Sequence, residues 1–590
     1  MRHTLLLASL LTLAACTETP PSYKQPYALK APDKALYTNA SIYTLNEQAP
    51  WAEAMVTEGD TITFVGSQQE ARNYTDDKTQ ILDMDGQFLM PGLIDTHTHP
   101  GLVATLSEDD ETANADYLPV DSKASLYRFL HDYADEHPLQ PFILLGEWDV
   151  NTFLPDGPDK TKLDEIFPWR PVILMDNSGH SSWANSSALT LLGVDKNTPD
   201  LSPGISEFTR DEHGEPTGWI KEFAIMHQLS SWLIPAKDEL REGLLSYLNF
   251  LSSRGVTTLW DAGNFSMHNE VYEVVAELDQ EGLLPLHYEG SYHIWDPKQI
   301  DSAIVEFKEL RRKYAGNRLQ FNTLKVHYDG VTEILTAGML EPYTTDPDNR
   351  GGILFDAERL SRFIEELNDE GIHLHLHAVG DRATREALDA VELAIKRNNK
   401  PLAIEITLSH LEIVNPTDIP RFATLNINAN FTPHWFGGTV FGEAGATNLG
   451  AERASRSQVA HEFVAAGANV TLSSDVTSER ESHRANPFIG MQMSVTRQEY
   501  NDSKGPVLSP ASAALTLENA LAAYTLNGAR QLGFGQKLGA LSAGLKADFV
   551  VLDQNPFEID IQKIHTITPR TVVLDGAVVS GSVMTVPVKK

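Results

Sequence analysis

The chain has 590 residues, more than one ordinary domain needs, so it can bury a large core and still carry an accessory module. Its 46 basic and 81 acidic residues leave a net charge of −35 with no basic cluster; this argues against nucleic acid as a partner and reads as a solvated, self-repelling surface. Cys16 is the single cysteine, which excludes disulfides within the chain and thiolate metal ligands, so a metal site must be built from histidine, carboxylate or something less usual.

Met1-Arg2-His3 is a short basic start, and Thr4 to Leu13 is an apolar run too short to span a bilayer. Leu13-Ala14-Ala15-Cys16 resembles the lipobox of bacterial lipoproteins, in which the cysteine is acylated and becomes the new N-terminus. An ordinary signal peptide with a chance cysteine is the alternative. With Thr17 next rather than aspartate, the resemblance implies a lipid-anchored protein of the bacterial cell envelope, at the periplasmic face of the outer membrane. The expected division is a signal peptide over 1–15 and a proline-bearing tether over 16–35. No later segment is long and apolar enough to span, so the body is expected to meet a membrane only through a lipid on Cys16.

Short strands and turns follow. Ser41-Ile42-Tyr43-Thr44-Leu45 and Thr61-Ile62-Thr63-Phe64-Val65 lie near the start, and Asp548-Phe549-Val550-Val551-Leu552 and Thr571-Val572-Val573-Leu574 near the end, the last followed by the turn Asp575-Gly576. Two β-rich ends around a different middle predict one small β-sandwich built from both termini, over 36–88 and 537–590. In the middle, 89–536, apolar or β-branched runs recur at about 90–97, 256–261, 284–290, 322–328, 372–377, 404–410, 425–432 and 469–475. Amphipathic helices fall between most of them. One is predicted over 236–254, with Leu240, Leu244, Leu248 and Leu251 as its stripe and Gly255 as its stop. Another runs from the N-cap Asp356 to Gly371. Eight strands with intervening helices predict an α/β fold, a (β/α)8 TIM-like barrel. The gap of about 101–235 after the first strand is too long for a loop and predicts an inserted subdomain over the barrel mouth.

Active sites of such barrels lie at the carboxyl ends of the strands. His97 and His99 end the first run and, two residues apart, share one face. Alone this is weak, because 20 histidines give about 0.7 such pairs by chance. The coincidence of position is stronger: His377 ends the fifth run, His410 the sixth and Asp475 the eighth. His373 and His375, deeper on the face of His377, read as residues behind the site or in the core.

Pro91-Gly92-Leu93-Ile94-Asp95-Thr96-His97-Thr98-His99 resembles the signature of the amidohydrolase superfamily, and Gly539 to Asp548 continues the resemblance almost to the end. The finer similarity is to the branch of N-substituted formamide deformylases. It rests on Arg170-Pro171-Val172, Gly179-His180-Ser181-Ser182-Trp183-Ala184-Asn185-Ser186, Glu215-Pro216-Thr217-Gly218, Thr336-Ala337, Glu341-Pro342-Tyr343 and His377 to Ala383. The resemblance implies two divalent cations, with zinc the expected metal. His97 and His99 hold one, completed by Asp475; His377 and His410 hold the other; Lys325, carboxylated by CO₂, bridges them. Chemistry agrees with that bridge. An ammonium cannot ligate a cation and lysine ordinarily titrates near ~10.4, but burial beside metals favours the neutral amine, which takes up CO₂. An ordinary rim lysine paired with Asp329 is the alternative.

The implied reaction is hydrolysis of a C–N bond in an amide, N-formyl amine or cyclic amide of a small-molecule substrate. Two metals about 3.5–4 Å apart make hydroxide available at neutral pH, and Asp475 serves as base and then as acid to the leaving nitrogen. His180, Trp148, Tyr328 and Asp329 are candidate substrate-binding residues. Two departures loosen the transfer of substrate preference: Thr432-Pro433-His434-Trp435 stands where the family has Gln-Pro, and Thr477 where it has proline. His434 is therefore a further candidate for binding substrate, peculiar to this chain. Hydrolysis of a lactone, carbamate or phosphoester on the same metals is the alternative chemistry, and a non-catalytic binding lipoprotein the alternative class. Assembly into a homo-oligomer stays open.

Overall fold

The computed structural model of the chain describes residues 31–105, 122–154, 156–437 and 442–582. The expected signal peptide, Cys16 and most of the tether lie outside the described residues. Among the described residues no helix is long and apolar enough to cross a membrane.

Strands from the two ends of the chain pair directly. A six-stranded sheet has the order Ala577–Gly581, Pro569–Leu574, Phe549–Leu552, Phe88–Pro91, Ser41–Tyr43, Trp51–Ala52. Phe88–Pro91 pairs antiparallel with Phe549–Leu552, so the joint between early and late chain is a backbone ladder. A four-stranded sheet of Thr61–Gly66, Ala54–Glu58, Ala35–Thr38 and Gln80–Asp83 accompanies it. Side chains of both sheets, among them Tyr37, Met55, Leu89, Phe549 and Val551, share one buried cluster.

The middle of the chain is a parallel α/β structure. Its strands are β1 (Leu93–Thr98), β2 (Val256–Asp261), β3 (His287–Glu289), β4 (His293–Ile294), β5 (Leu319–Gln320), β6 (Thr323–His327), β7 (His373–Ala378), β8 (Ile406–His410), β9 (Ile427–Phe431) and β10 (Asn469–Leu472). One sheet has the order β5-β3-β2-β1 and the other β4-β6-β7-β8-β9-β10. Nearly every residue of these strands is buried, as parallel strands covered on both faces require, and for that reason they read as unbroken apolar runs in the sequence. Every one of the eight predicted runs contains a strand. Hydrogen bonds also run between the sheets: past β10, Asp475 N–H donates to the His97 carbonyl at 2.8 Å, and His99 N–H donates to the Val476 carbonyl at 3.2 Å.

The predicted helices form where their stripes and caps place them. Lys237–Ser253 buries Leu240, Leu244, Leu248 and Leu251. Ala357–Glu370 starts on Asp356, whose carboxylate accepts from Arg359 N–H at 2.7 Å, and stops at Gly371 in the left-handed region, φ +65°. Between Thr105 and Met226 lies a separate five-stranded sheet, ordered Phe208–Arg210, Pro216–Lys221, Ser181–Ala184, Val172–Asp176, Ile143–Trp148.

An ion-pair cluster joins the base of β3 to the late strands. His287 Nε2 stands 3.1 Å from Asp548 Oδ2 and 3.7 Å from Asp575 Oδ1, while Arg318 and Lys546 pair with Asp575 at 3.3 and 3.0 Å.

Candidate metal centre

Parallel register aligns the carboxyl ends of the strands. In the β6–β7 ladder Lys325 faces His375 and His327 faces His377; in the β7–β8 ladder Ala378 faces His410. These pairings put His327 and His377 in a stack with ring centres 3.9 Å apart, and His377 and His410 at 4.4 Å. From β1, His97 Nε2 comes to 3.1 Å from Lys325 Nζ and 3.3 Å from Asp475 Oδ1. His99 Nε2 lies 3.5 Å from the same Asp475 oxygen, and His410 Nδ1 3.4 Å from its Oδ2. His97, His99 and Asp475 form a three-ligand set whose donor atoms lie within 4.8 Å of one another. All six residues expected around the metals, His97, His99, Lys325, His377, His410 and Asp475, thus gather in one contiguous cluster, buried except for the partly exposed Asp475.

Backbone strain is concentrated here. His410 (φ +74°), Leu411 (φ +48°) and Asp475 (φ +53°) are non-glycine residues in the left-handed region, a conformation that costs of order 1–3 kcal/mol each and persists only where the surroundings hold it. Asp95 supplies part of that hold for Asp475: it accepts from Ser474 N–H at 3.0 Å and Ser474 Oγ at 2.6 Å. Burial raises the Asp95 carboxyl to about 6, against the pull of those bonds.

The donor set suits divalent cations. Burial, reinforced by neighbouring Lys325 or His377, holds His97, His377 and His410 well below the ordinary histidine range, so their rings are neutral and carry lone pairs. His410 Nδ1 has only the 3.4 Å contact with Asp475, and its Nε2 has no hydrogen-bond partner among the described residues, a costly state for a buried polar atom that a ligated cation would relieve. Burial lowers Lys325 to about 7, with Asp475 pulling the other way, which makes the neutral amine accessible near neutrality. Lys325 faces His97 and not Asp329, so the ordinary rim pair is not formed. Ligand orientation is set from behind: His99 Nδ1 meets the Gly263 carbonyl at 2.9 Å, His97 Nδ1 meets His375 Nε2 at 3.1 Å, and His377 Nε2 meets the Gly330 carbonyl at 3.1 Å. His375 itself stacks on Trp260 at 4.2 Å. His373 is at the opposite end of β7, where its Nδ1 accepts from Glu405 N–H.

The residues expected to bind substrate divide. His180 sits beside the cluster, its ring centre 6.0 Å from that of His377. Trp148 is instead a core residue of the inserted sheet: its indole N–H is spent on the Leu174 carbonyl at 3.0 Å and its ring packs against Phe153 and Trp183. Tyr328 is three residues from Lys325, so strand alternation turns it away from the site and into the main core. Asp329 is fully buried and clamps loops, accepting from the N–H groups of Val379 (3.0 Å), Gly380 (2.9 Å) and Gly338 (2.9 Å). His434 is buried on the turn Pro433–Gly437, and burial drops it to about 3; the ring from that turn that reaches the cluster is Trp435, stacked on His410 at 5.3 Å.

Sequence reasoning passed over His327 and His293. The signal for His327 is its place two residues after Lys325 on the same strand face. His293 follows a kink at Gly290 that ends the apolar run early; both its ring nitrogens are buried without a hydrogen-bond partner among the described residues.

The chain is 30% identical over 408 residues to an exoenzymes regulatory protein of Pectobacterium carotovorum subsp. carotovorum, covering 68% of this chain and 85% of that one. It is 24% identical over 556 residues to an N-substituted formamide deformylase of Arthrobacter pascens, covering 91% and 96%. Among solved structures, an uncharacterized metal-dependent hydrolase from Pyrococcus horikoshii shares the fold, with a TM-score of 0.65 at 21% identity over 90% of this chain and 99% of that one. The amidohydrolase family model matches residues 80–580, most of the chain, and the chain belongs to that family.

Proposed function

We propose that this protein is a metal-dependent hydrolase that cleaves a C–N bond of an amide, N-formyl amine or cyclic amide. The observation that carries the reading is the convergence of four histidines, a buried lysine and a strained aspartate at adjacent strand ends, with His410 Nε2 left without a hydrogen-bond partner among the described residues. His97, His99 and Asp475 would hold one divalent cation, His377 and His410 a second, and Lys325 as its carbamate would offer an oxygen to each. Zinc suits this nitrogen and oxygen set. Held by these residues, the cations would supply Lewis acidity, lowering the pKa of a water and polarising a carbonyl. Asp475, in reach of His97, His99 and His410, takes the proton of the attacking water and returns it to the departing nitrogen. His180 meets the substrate from the inserted sheet. The name of the Arthrobacter pascens relative favours formamides and amides within the class.

In the same reading the parallel strands form a (β/α)8 barrel over 89–536, the two end sheets form one composite β-sandwich, and the segment of about 101–235 is an insertion over the mouth. The chain is a lipoprotein held at the outer membrane through Cys16.

Metal analysis joined to a substrate panel tests this. Purified protein is expected to carry close to two cations per chain and to turn over members of a panel of amides, formamides, lactones and dipeptides. Asp475→Asn is expected to abolish turnover with the fold kept. Less than one tightly held cation sinks the binuclear site, retained turnover in Asp475→Asn removes its proton role, and turnover of lactones alone redirects the chemistry to C–O bonds.

A further inference from the structure

The inserted sheet reaches the metal centre at His180, and a carboxylate is fitted to that histidine. His180 Nδ1 lies 2.6 Å from Glu222 Oε2, and the His180 ring centre stands 5.7 Å from that of His327. The Glu222 side chain is fully buried, and its second oxygen, Oε1, accepts from Thr336 Oγ1 at 2.6 Å. Glu222 N–H donates to the His180 carbonyl at 2.6 Å, so the two residues are tied through main chain and side chain alike. Thr336 belongs to the loop after β6, the strand of Lys325 and His327. One carboxylate therefore joins the inserted sheet, His180 and the rim of the metal centre.

Two independent features show the surroundings shaped to this carboxylate. Glu222 adopts φ +50°, a left-handed conformation that a residue with a Cβ adopts only under constraint. On the facing loop, a Cβ at Gly330 would stand 2.4 Å from Glu222 Oε1 and 2.2 Å from Thr336 Oγ1, so only glycine leaves the carboxylate its place. The turn bearing His180 is braced too. Asp176 accepts from the N–H groups of His180 and Ser181, and Gly179 supplies the positive φ the turn needs.

We propose that Glu222 is a positioning residue: by accepting from Nδ1–H it fixes the plane of His180 and, as the partner carboxylate of a protonated ring, leaves Nε2–H to donate to the acyl oxygen of the substrate. This rests on the function proposed above. A carboxylate behind an imidazole favours the ring that carries a proton on both nitrogens and sets where the far N–H points. Acyl-oxygen recognition then depends on the inserted sheet being docked on the loop after β6. The competing occupant is a cation held among His180, Glu222 and His327, whose donor atoms also lie within 4.8 Å of one another.

The test uses full-length, metal-loaded protein with Glu222→Gln, Thr336→Val, His180→Asn and the Glu222→Gln/His180→Asn pair. Metal per chain is expected to stay at the wild-type level. For Glu222→Gln, kcat on the best panel substrate should fall by about 10²–10³-fold, the loss expected of one oxyanion donor, with KM moved far less. The double variant should be no slower than His180→Asn, because Glu222 acts through His180. Thr336→Val should fall the same way by less, and it carries the test where Glu222→Gln does not fold. Histidine ¹⁵N spectra, assigned by loss of the His180→Asn signal, should show both ring nitrogens protonated in wild type and the pattern perturbed in Glu222→Gln. A kcat within twofold of wild type, multiplicative losses in the double variant, or an unprotonated Nδ1 overturns the proposal. Loss of metal in step with the substitutions overturns it in favour of a cation at the cluster. A wild type inactive on the whole panel counts against the proposed function instead, and the spectra still decide what Glu222 does.

Discussion

Replacing Asp329 by alanine removes both oxygens from a carboxylate that accepts three buried backbone N–H groups, from Gly338, Val379 and Gly380. Each stranded donor costs about 1–3 kcal/mol, so the substitution should cost about 3–9 kcal/mol, a sum that rivals the whole stability of an ordinary domain, about 5–15 kcal/mol. Asparagine separates the contributions. Its carbonyl can stand where Oδ2 meets Gly338 and Gly380, but its NH₂ then faces the Val379 N–H, so one bond is lost and about 1–3 kcal/mol with it. Urea unfolding followed by near-UV circular dichroism should rank wild type above Asp329→Asn and Asp329→Asn well above Asp329→Ala. Metal content should fall in the same order, because the loops released begin immediately after β6 and β7 and the Gly330 carbonyl orients His377. Two variants equally stable, or Asp329→Ala within about 0.5 kcal/mol of wild type, would refute the claim that Asp329 is a clamp.

Lys325→Ala should leave less than one cation per chain and no turnover, with partial return of both on adding propionate or bicarbonate, small enough to supply two oxygens in the vacated space; full metal content in the variant would remove lysine from the bridge. His287 gives a pH signature. Burial disfavours its charge, but Asp548 and Asp575 outweigh burial and the Arg318 charge and raise it above its ordinary value near ~6.5. The native state therefore binds the extra proton. This contribution is complete below about 6.5 and disappears as pH rises through the raised value. His287→Gln should cost about 1.5–3 kcal/mol at pH 6 and clearly less at pH 9, read by thermal unfolding at both; an equal cost at both would show that the contact is not ionic.

The parallel strands were legible because two-sided burial writes them as continuous apolar runs, and the candidate ligands His97, His99, His377, His410 and Asp475 because they are the polar residues that end those runs. Lys325 entered only through the family resemblance. Counting in twos from Lys325 turns Tyr328 away from the cluster and into the main core, a face that alternation gives and proximity along the chain does not. Trp148 and Asp329 could not be read this way. Which face of the inserted sheet is core, and which N–H groups converge on a carboxylate, follow from loops that meet only in three dimensions. The Glu222–Thr336 bond spans 114 residues of sequence, and no local pattern announces it. His293 was hidden by a break in its strand, since a run that ends at Gly290 gives no reason to look three residues further.

The strand Phe88–Pro91 leads within one residue into β1, which carries His97 and His99, and its own ladder partner is Phe549–Leu552. The candidate ligands His97 and His99 are therefore seated by a strand that lies far later in the chain than they do. A chain truncated before Phe549 keeps Asp475 but lacks that support for β1, so it should be metal-poor even with every candidate ligand present. The metal site thus depends on a ladder that contributes no ligand to it.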